Sequence, residues 1–178
     1  MGVLRSNVNV RRLFVAQNVS LMGDYFTYVA LVGLVKDATD STFLVSLVYA
    51  AYVLPSFFFS PLAGPIVDKF DRRKVIVLIS TLQAISGVGF LLSNADRIWL
   101  ALLTQIVISS LAVITLPAFG SALPNVTRND EELRQANALF GSSWGASVFI
   151  GSAVGGLFAA TFGRTATFVA DIATFALC

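Results

Sequence analysis

The sequence predicts an all-α membrane protein: six transmembrane helices arranged as two inverted three-helix repeats. Composition, the spacing of charges and the distribution of Lys and Arg carry that prediction. Of 178 residues, 56% are apolar or aromatic and 12% are charged, against about 25% charged in an average soluble domain. Residues 41–67, 75–95, 98–127 and 135–163 contain no charge, giving runs of 27, 21, 30 and 29 residues, and 13–35 contains only Asp24. A helix needs about 20 mostly apolar residues to cross the hydrocarbon core. A soluble core does not call for runs of this length, and nothing alternates in ten-residue units as membrane-barrel strands do.

The elements follow in order. Span one is predicted over 13–35, after Arg11 and Arg12, and exceeds the roughly 7–15-residue apolar core of a signal peptide. Span two, 43–67, and span three, 75–93, flank a loop holding Lys69, Arg72, Arg73 and Lys74. Span four, 98–118, opens at Trp99, which suits a membrane interface beside Arg97. Span five, 138–162, follows Asn129 and Glu132, spaced as a capping box, with Asp130 and Glu131 placed to favour the helix dipole. Span six, 165–178, carries Asp171. From Arg164 to Cys178 a helix rises about 21 Å, short of the roughly 30 Å hydrocarbon thickness, so the sequence reads as cut within its sixth span.

Lys and Arg alternate between the two sides. Arg5, Arg11, Arg12, Lys69, Arg72, Arg73, Lys74, Arg128 and Arg134 fall on one side, and Lys36, Arg97 and Arg164 on the other. The excess predicts a cytoplasmic N-terminus in a plasma or inner membrane. The formal sequon Asn125-Val126-Thr127 then lies on the cytoplasmic side and is discounted. A net charge of +2 gives no basic field for nucleic acid. His is absent and the single Cys is Cys178, which excludes the usual zinc clusters, Cys/His catalysis, a Ser-His-Asp triad and an internal disulfide. No metal, cofactor or enzymatic activity is expected.

The loop between spans two and three reads Gly64-Pro65-Ile66-Val67-Asp68-Lys69-Phe70-Asp71-Arg72-Arg73-Lys74-Val75. It resembles the signature loop of the major facilitator superfamily, Gly-x-Leu-Ala-Asp-Arg/Lys-x-Gly-Arg-Arg/Lys, with Gly64, Asp68, Lys69, Arg72 and Arg73 on matching positions. Asp71 stands where the pattern has its second glycine, a departure similar to the branch of macrolide-efflux and siderophore-export proteins. Gln17-Asn18-Val19-Ser20-Leu21-Met22-Gly23-Asp24 resembles the first-span motif of that branch. Leu123-Pro124-Asn125-Val126, followed by Leu133-Arg134-Gln135-Ala136-Asn137-Ala138-Leu139, is a third match. The resemblance covers the whole chain and implies the N-terminal half of a twelve-helix transporter. A C-terminal six-helix half is then a partner outside this sequence.

The loop's chemistry can be read from its residues. Gly64 removes a side chain where a helix end could pack closely. Asp68 and Arg72 stand four apart and would pair on a helical turn. Asp68 can also accept from the exposed amides of another helix, and the resemblance implies span eleven for that role. A plainer alternative is a basic turn that only sets topology, with Arg73 serving mainly that purpose.

Polar residues inside the spans are the candidate pathway. Gln17, Ser20, Asp24, Thr27 and Tyr28 share one helical face. Asp24 lies about 18 Å beyond Arg12 along a helix, near the bilayer midplane. An intramembrane acid costs on the order of 2.5–3.5 kcal/mol and is a functional candidate by default. Desolvation disfavours its charged form, which makes it a group that could exchange a proton; the alternative is an Asp satisfied by neighbouring hydroxyls. In span four Gln105 and Ser109 stand four apart near mid-membrane, and the resemblance implies that spans one and four line the cavity. Interhelical hydrogen bonding is the alternative.

Span five carries Gly141, Gly145, Gly151, Gly155 and Gly156, whose spacing lets helices approach closely. Gly151-Ser152-Ala153-Val154-Gly155-Gly156 also resembles the antiporter motif Gly-Pro-x-x-Gly-Gly, with Ser152 in place of proline. Gly64, Phe70 and Arg72 recur 92 residues later as Gly156, Phe162 and Arg164, as two repeats require. Three spans per repeat is odd, so the copies must be inverted. The expected function is proton-coupled export of an amphipathic small molecule (drug, macrolide or siderophore-like), with that substrate, protons and the lipid bilayer as partners. The alternatives are a truncated, non-transporting membrane protein and a membrane enzyme. The latter would need paired catalytic groups, whereas Asp171 sits about 10 Å below the outer face.

Overall fold

A computed structural model describes residues 2–176. The chain is helical nearly throughout: α1 (Gly2–Ser6), α2 (Val8–Thr39), α3 (Thr42–Lys69), α4 (Arg72–Leu91), a 3-10 turn (Ala95–Arg97), α5 (Ile98–Val126), α6 (Asp130–Phe162) and α7 (Arg164–Ala176). No strand occurs among the described residues. The five long helices α2 to α6 are long and apolar enough to cross a membrane by length and composition. The 13 described residues of α7 begin the predicted sixth span, whose last residues, 177–178, lie outside the described residues.

Three helices run past their predicted spans at the end that carries Arg12. α2 begins at Val8 instead of 13, α5 continues to Val126 instead of 118, and α6 begins at Asp130 instead of 138. Caps and packing supply the reason. Asn7 Oδ1 accepts from the amides of Asn9 and Val10, at 3.1 and 3.2 Å, and starts α2. Asn129 Oδ1 accepts from Glu132 N at 2.8 Å and starts α6. α5 keeps its helix through Pro117 and Pro124, with Phe119 and Leu123 fully buried in two apolar clusters. Those clusters gather Val67, Val75 and Ile76 on one side and Val3, Val10, Ala136 and Phe140 on the other.

The capping box is half realised. Glu132 Oε2 accepts from Arg128 N at 3.0 Å rather than from Asn129 N, and from Asn7 Nδ2 at 3.0 Å. Asn7 Nδ2 also donates to Val126 O at 2.8 Å, and Arg128 Nη2 donates to Ser6 O at 3.2 Å. One carboxylate thus ties the α1–α2 junction to the α5–α6 turn.

Helix pairing has an internal symmetry. α2 packs on α6 and α7, α3 on α5, and α4 on α5 and α7. Exchanging α2, α3 and α4 with α5, α6 and α7 maps this pattern onto itself, as two three-helix repeats inverted across the membrane require. At the α2–α6 seam, a Cβ at Gly155 would stand 2.8 Å from Phe26 Cα, and one at Gly151 would stand 3.2 Å from Met22 Cα. Gly156 looks on Val29 at ordinary contact distance, whereas Gly141 and Gly145 face open space. At the opposite end Arg164 pairs with Asp37, and Phe90 of α4 stacks on Phe168 of α7 at 5.0 Å. Gly163, at φ +83°, makes the sharp turn between α6 and α7 without a side-chain clash.

Two outcomes follow from these contacts. Gly155→Val forces α6 off the α2 backbone, and overpacking of this kind costs about 1–3 kcal/mol. The thermal unfolding midpoint in detergent is expected to fall for Gly155→Val and to stay at the parental value for Gly141→Val. Glu132 is held below the usual Glu range by the Asn7 hydrogen bond, then by the Arg128 amide. A carboxyl lowered in the folded state stabilises above its unfolded value and loses that contribution as pH falls through the folded one. Proteolysis at the α1–α2 junction is therefore expected to rise on acidification below about pH 4, and Glu132→Gln is expected to show the same cleavage at neutral pH.

Candidate functional site

A cavity of about 530 Å³ opens between α2, α3 and α5, with Trp144 of α6 at its edge. It brings together Asp24, Gln105, Ser109 and Gly64 from the sequence-predicted set, and adds Tyr52 and Ser56 of α3. Asp24 is the only charged side chain lining it among the described residues. Gln105 Nε2 donates to Ser109 Oγ at 2.9 Å, the i, i+4 geometry that one helical turn permits. That leaves Gln105 Oε1 buried without a partner, a polar atom available to a ligand or a water.

Behind Asp24 lies a smaller polar pocket of about 40 Å³, lined by Gln17, Ser20, Asp24, Gln83 and Thr115 together with apolar neighbours. Gln17 Oε1 and Gln83 Oε1 are buried there with no hydrogen bond. A volume of this size, with several polar atoms, is sufficient for a water molecule. Asp24 therefore stands between an open cavity on one side and a small polar recess on the other.

The predicted face of α2 is divided by tertiary structure. At about 100° per residue its five polar positions spread over about 100° of the helix surface, wide enough to meet three neighbours. Gln17, Ser20 and Asp24 share the recess. Thr27, at one edge, turns to α7 and donates to Asp171 Oδ2 at 2.5 Å. Tyr28, at the other edge, leans on Tyr52 with ring centroids 5.4 Å apart and lines neither pocket. Tyr25 also meets Tyr52, at 6.0 Å, so three tyrosines cluster beside the acid.

The loop departs from its sequence-based geometry. α3 ends at Lys69, Phe70 is extended, and Asp71 caps α4 by accepting from Lys74 N at 3.0 Å. Asp68 and Arg72 thus stand on two helices rather than on one turn, and no ion pair joins them among the described residues. Asp68 is exposed. Gly64 meets no neighbour within 4 Å, so within this chain it opens space rather than admitting a packed helix. Arg72 Nε is buried without a hydrogen bond, and Arg73 is exposed. Arg72 and Arg73 border a cleft of about 1010 Å³ with Arg11 and Arg12, which puts the loop and Arg12 at the same end of the bundle. That cleft is larger, but the smaller cavity holds the polar groups at membrane depth and is the candidate site.

Tyr52, Ser56, Gln83, Trp144 and Asp171 were not among the sequence-predicted pathway residues. Part of the signal exists: Tyr52, Ser56 and Ser60 recur every four residues and all line the cavity, a polar stripe on one face of span two. Gln83 and Trp144 carry no comparable pattern.

Residues 13–178 match the family described as Major Facilitator Superfamily. The chain belongs to the major facilitator superfamily. The multidrug efflux pump Tap of Mycobacterium tuberculosis (strain CDC 1551 / Oshkosh) is 30% identical over 152 residues, covering 82% of this chain and 36% of Tap. The uncharacterized MFS-type transporter YfiS of Bacillus subtilis is 23% identical over 176 residues, covering 98% of this chain and 42% of YfiS. A Bacillus subtilis relative provisionally named bacilysin exporter BacE is 26% identical over 151 residues, covering 84% of this chain and 37% of BacE. The chain thus spans about two-fifths or less of the length of these relatives. No solved structure matches it. As a superfamily member with five long apolar helices, it is a multi-pass membrane protein.

Solvent access discriminates the two faces of the bundle. With Cys178 replaced by Ser, Ser56→Cys is expected to react with a membrane-impermeant thiol reagent, because Ser56 is exposed in the cavity. Thr167→Cys is expected to stay unlabelled, because Thr167 is fully buried. The measurement is gel-shift labelling in sealed vesicles.

Proposed function

We propose that this chain forms the N-terminal six-helix half of a secondary transporter that exports an amphipathic small molecule in exchange for protons. Asp24 carries the reading: among the described residues it is the only acidic or basic side chain lining a largely apolar cavity, and an acid at that depth is retained at a cost of about 2.5–3.5 kcal/mol on insertion scales. The apolar walls and tyrosines suit an amphipathic substrate, and Gln105 and Ser109 supply orienting hydrogen bonds. The similarity to a multidrug efflux pump supports export.

In this reading a second six-helix bundle closes the far side of the cavity, and the two halves rock about the substrate. α2 and α6 move as one body because Gly151 and Gly155 seat α6 on the α2 backbone. Exposed Asp68, with no ion pair among the described residues, serves as acceptor for a helix terminus of the second half in one state of the cycle. The Lys and Arg distribution supports a cytoplasmic position for Arg12 and the Gly64–Lys74 loop, with the chain in a plasma or inner membrane. Protonation of Asp24 removes the cavity's charge; it shifts the inward–outward balance only by the difference in proton affinity between the two states.

The test is Asp24→Asn, which keeps size and hydrogen bonding but fixes the neutral form. In vesicles of the full-length protein, pH-driven accumulation of a fluorescent dye substrate is expected to fall to the level of empty vesicles, with downhill exchange retained. Asp24→Glu is expected to keep part of the activity at a shifted pH optimum. Accumulation by Asp24→Asn at the wild-type rate would make Asp24 a packing residue.

A further inference from the structure

Asp171 is a buried carboxyl that the proposed exchange leaves unused. It is 2% exposed on α7 and accepts from Thr27 Oγ1 at 2.5 Å. Thr174 Oγ1 donates to the Asp171 backbone carbonyl at 2.7 Å and stands 3.4 Å from Oδ1. The carboxyl occupies the space over Gly23: a Cβ built there would stand 2.5 Å from Asp171 Oδ1 and would collide with the Thr174 hydroxyl. Gly23 immediately precedes Asp24. Asp171 therefore sits over the residue next to Asp24 in α2, while Asp24 itself lines the cavity.

Among the described residues no cation offsets them at that depth. Asp24 faces α3 and α5, whose residues 42–67 and 98–126 contain no charge, and the titratable groups beside it there are Tyr52 and Tyr25. The helices packed on α7 are α2, α4 and α6. Residues 75–95 of α4 and the following turn, and 135–163 of α6 and its end, contain no charge; residues 13–35 of α2 contain only Asp24. α4 brings Gly87 against Ile172, and Phe90 against Phe168, all apolar. The nearest basic residue on α7 itself, Arg164, is seven positions away, about 10 Å along the axis, and is paired with Asp37. Two carboxylates so placed, in a low-dielectric surrounding, disfavour one another's ionisation.

We propose that Asp24 and Asp171 form one two-carboxyl proton site straddling α2, which carries at most one negative charge. Asp171, whose carboxylate accepts from the Thr27 hydroxyl, holds the negative charge, while Asp24 holds the shared proton and exchanges it with water in the cavity. Gly23 is the residue that lets α7 bring the second acid close. The meaning of this pair for transport rests on the proton-driven exchange proposed above; its existence as a coupled site does not.

The experiment is an infrared pH titration of the carboxylic-acid C=O bands in the purified full-length protein, comparing wild type with Asp171→Asn, Asp24→Asn and Thr27→Val. Each Asn variant is expected to remove one band, and Asp171→Asn to shift the Asp24 midpoint by about one pH unit or more, since interacting sites titrate as a pair. Removing a like charge makes the survivor easier to ionise. Thr27→Val, which keeps volume and removes only the hydroxyl, is expected to displace the Asp171 band, and it carries the test if Asp171→Asn fails to fold. Unchanged Asp24 midpoints in both Asp171→Asn and Thr27→Val would overturn the proposal. A coupled titration alongside unimpaired pH-driven transport by Asp24→Asn would leave this pair standing and sink the exchange reading alone.

Discussion

A Cβ on Gly155 would come within 2.8 Å of Phe26 Cα, and the approach that its absence allows fixes where α2 sits and how it is rotated. Without a hydrophobic drive between helices in lipid, such close backbone packing is a principal source of association. Once α6 holds one side of α2, the remaining sides are assigned: Gly23 and Thr27 to α7, Gln17, Ser20 and Asp24 to the recess and cavity, Tyr25 and Tyr28 to α3. Every feature at membrane depth depends on that one helix being held at one angle.

The same rotation explains why polar groups collect where they do. Hydroxyls on lipid-facing or packed surfaces bond back to their own helices, as Thr81 does to Val77 O and Ser110 to Ile106 O, which removes them from the site. Gln17, Gln83 and Gln105 are different, because each keeps a buried amide oxygen with no partner. An unpaired buried acceptor costs about 1–3 kcal/mol, so three around one acid mark a place where water or ligand completes the hydrogen bonding. The cavity is thus incomplete by its own chemistry.

At the Arg12 end the order is set by charge and capping rather than by glycine. Asp71 starts α4, Asn129 starts α6, and Glu132 joins the α1–α2 junction to the turn between α5 and α6. Asp71 occupies the position where the superfamily's loop pattern has its second glycine, and its carboxyl does work a glycine cannot, accepting the Lys74 amide. Asp68 is exposed and the Nε of Arg72 has no hydrogen bond, which leaves bonding capacity in that loop.

The uncharged runs by themselves determined helical spans, because twenty-odd apolar residues have few other fates, and the motifs by themselves determined the superfamily. Asp24, Gln105 and Ser109 were legible too, since polar residues stand out against an apolar background. Helix ends were not: α5 runs on through Pro117 and Pro124 because packing of Phe119 and Leu123 outweighs a local breaker. Tertiary structure alone decided that Thr27 belongs to Asp171 and Tyr28 to Tyr52, and that Asp68 and Arg72 part company on two helices. The physical reason is that periodicity gives each residue an angle around its own helix, but a stripe about 100° wide meets several neighbours. Which neighbour each residue meets is set by how closely the other helices can approach.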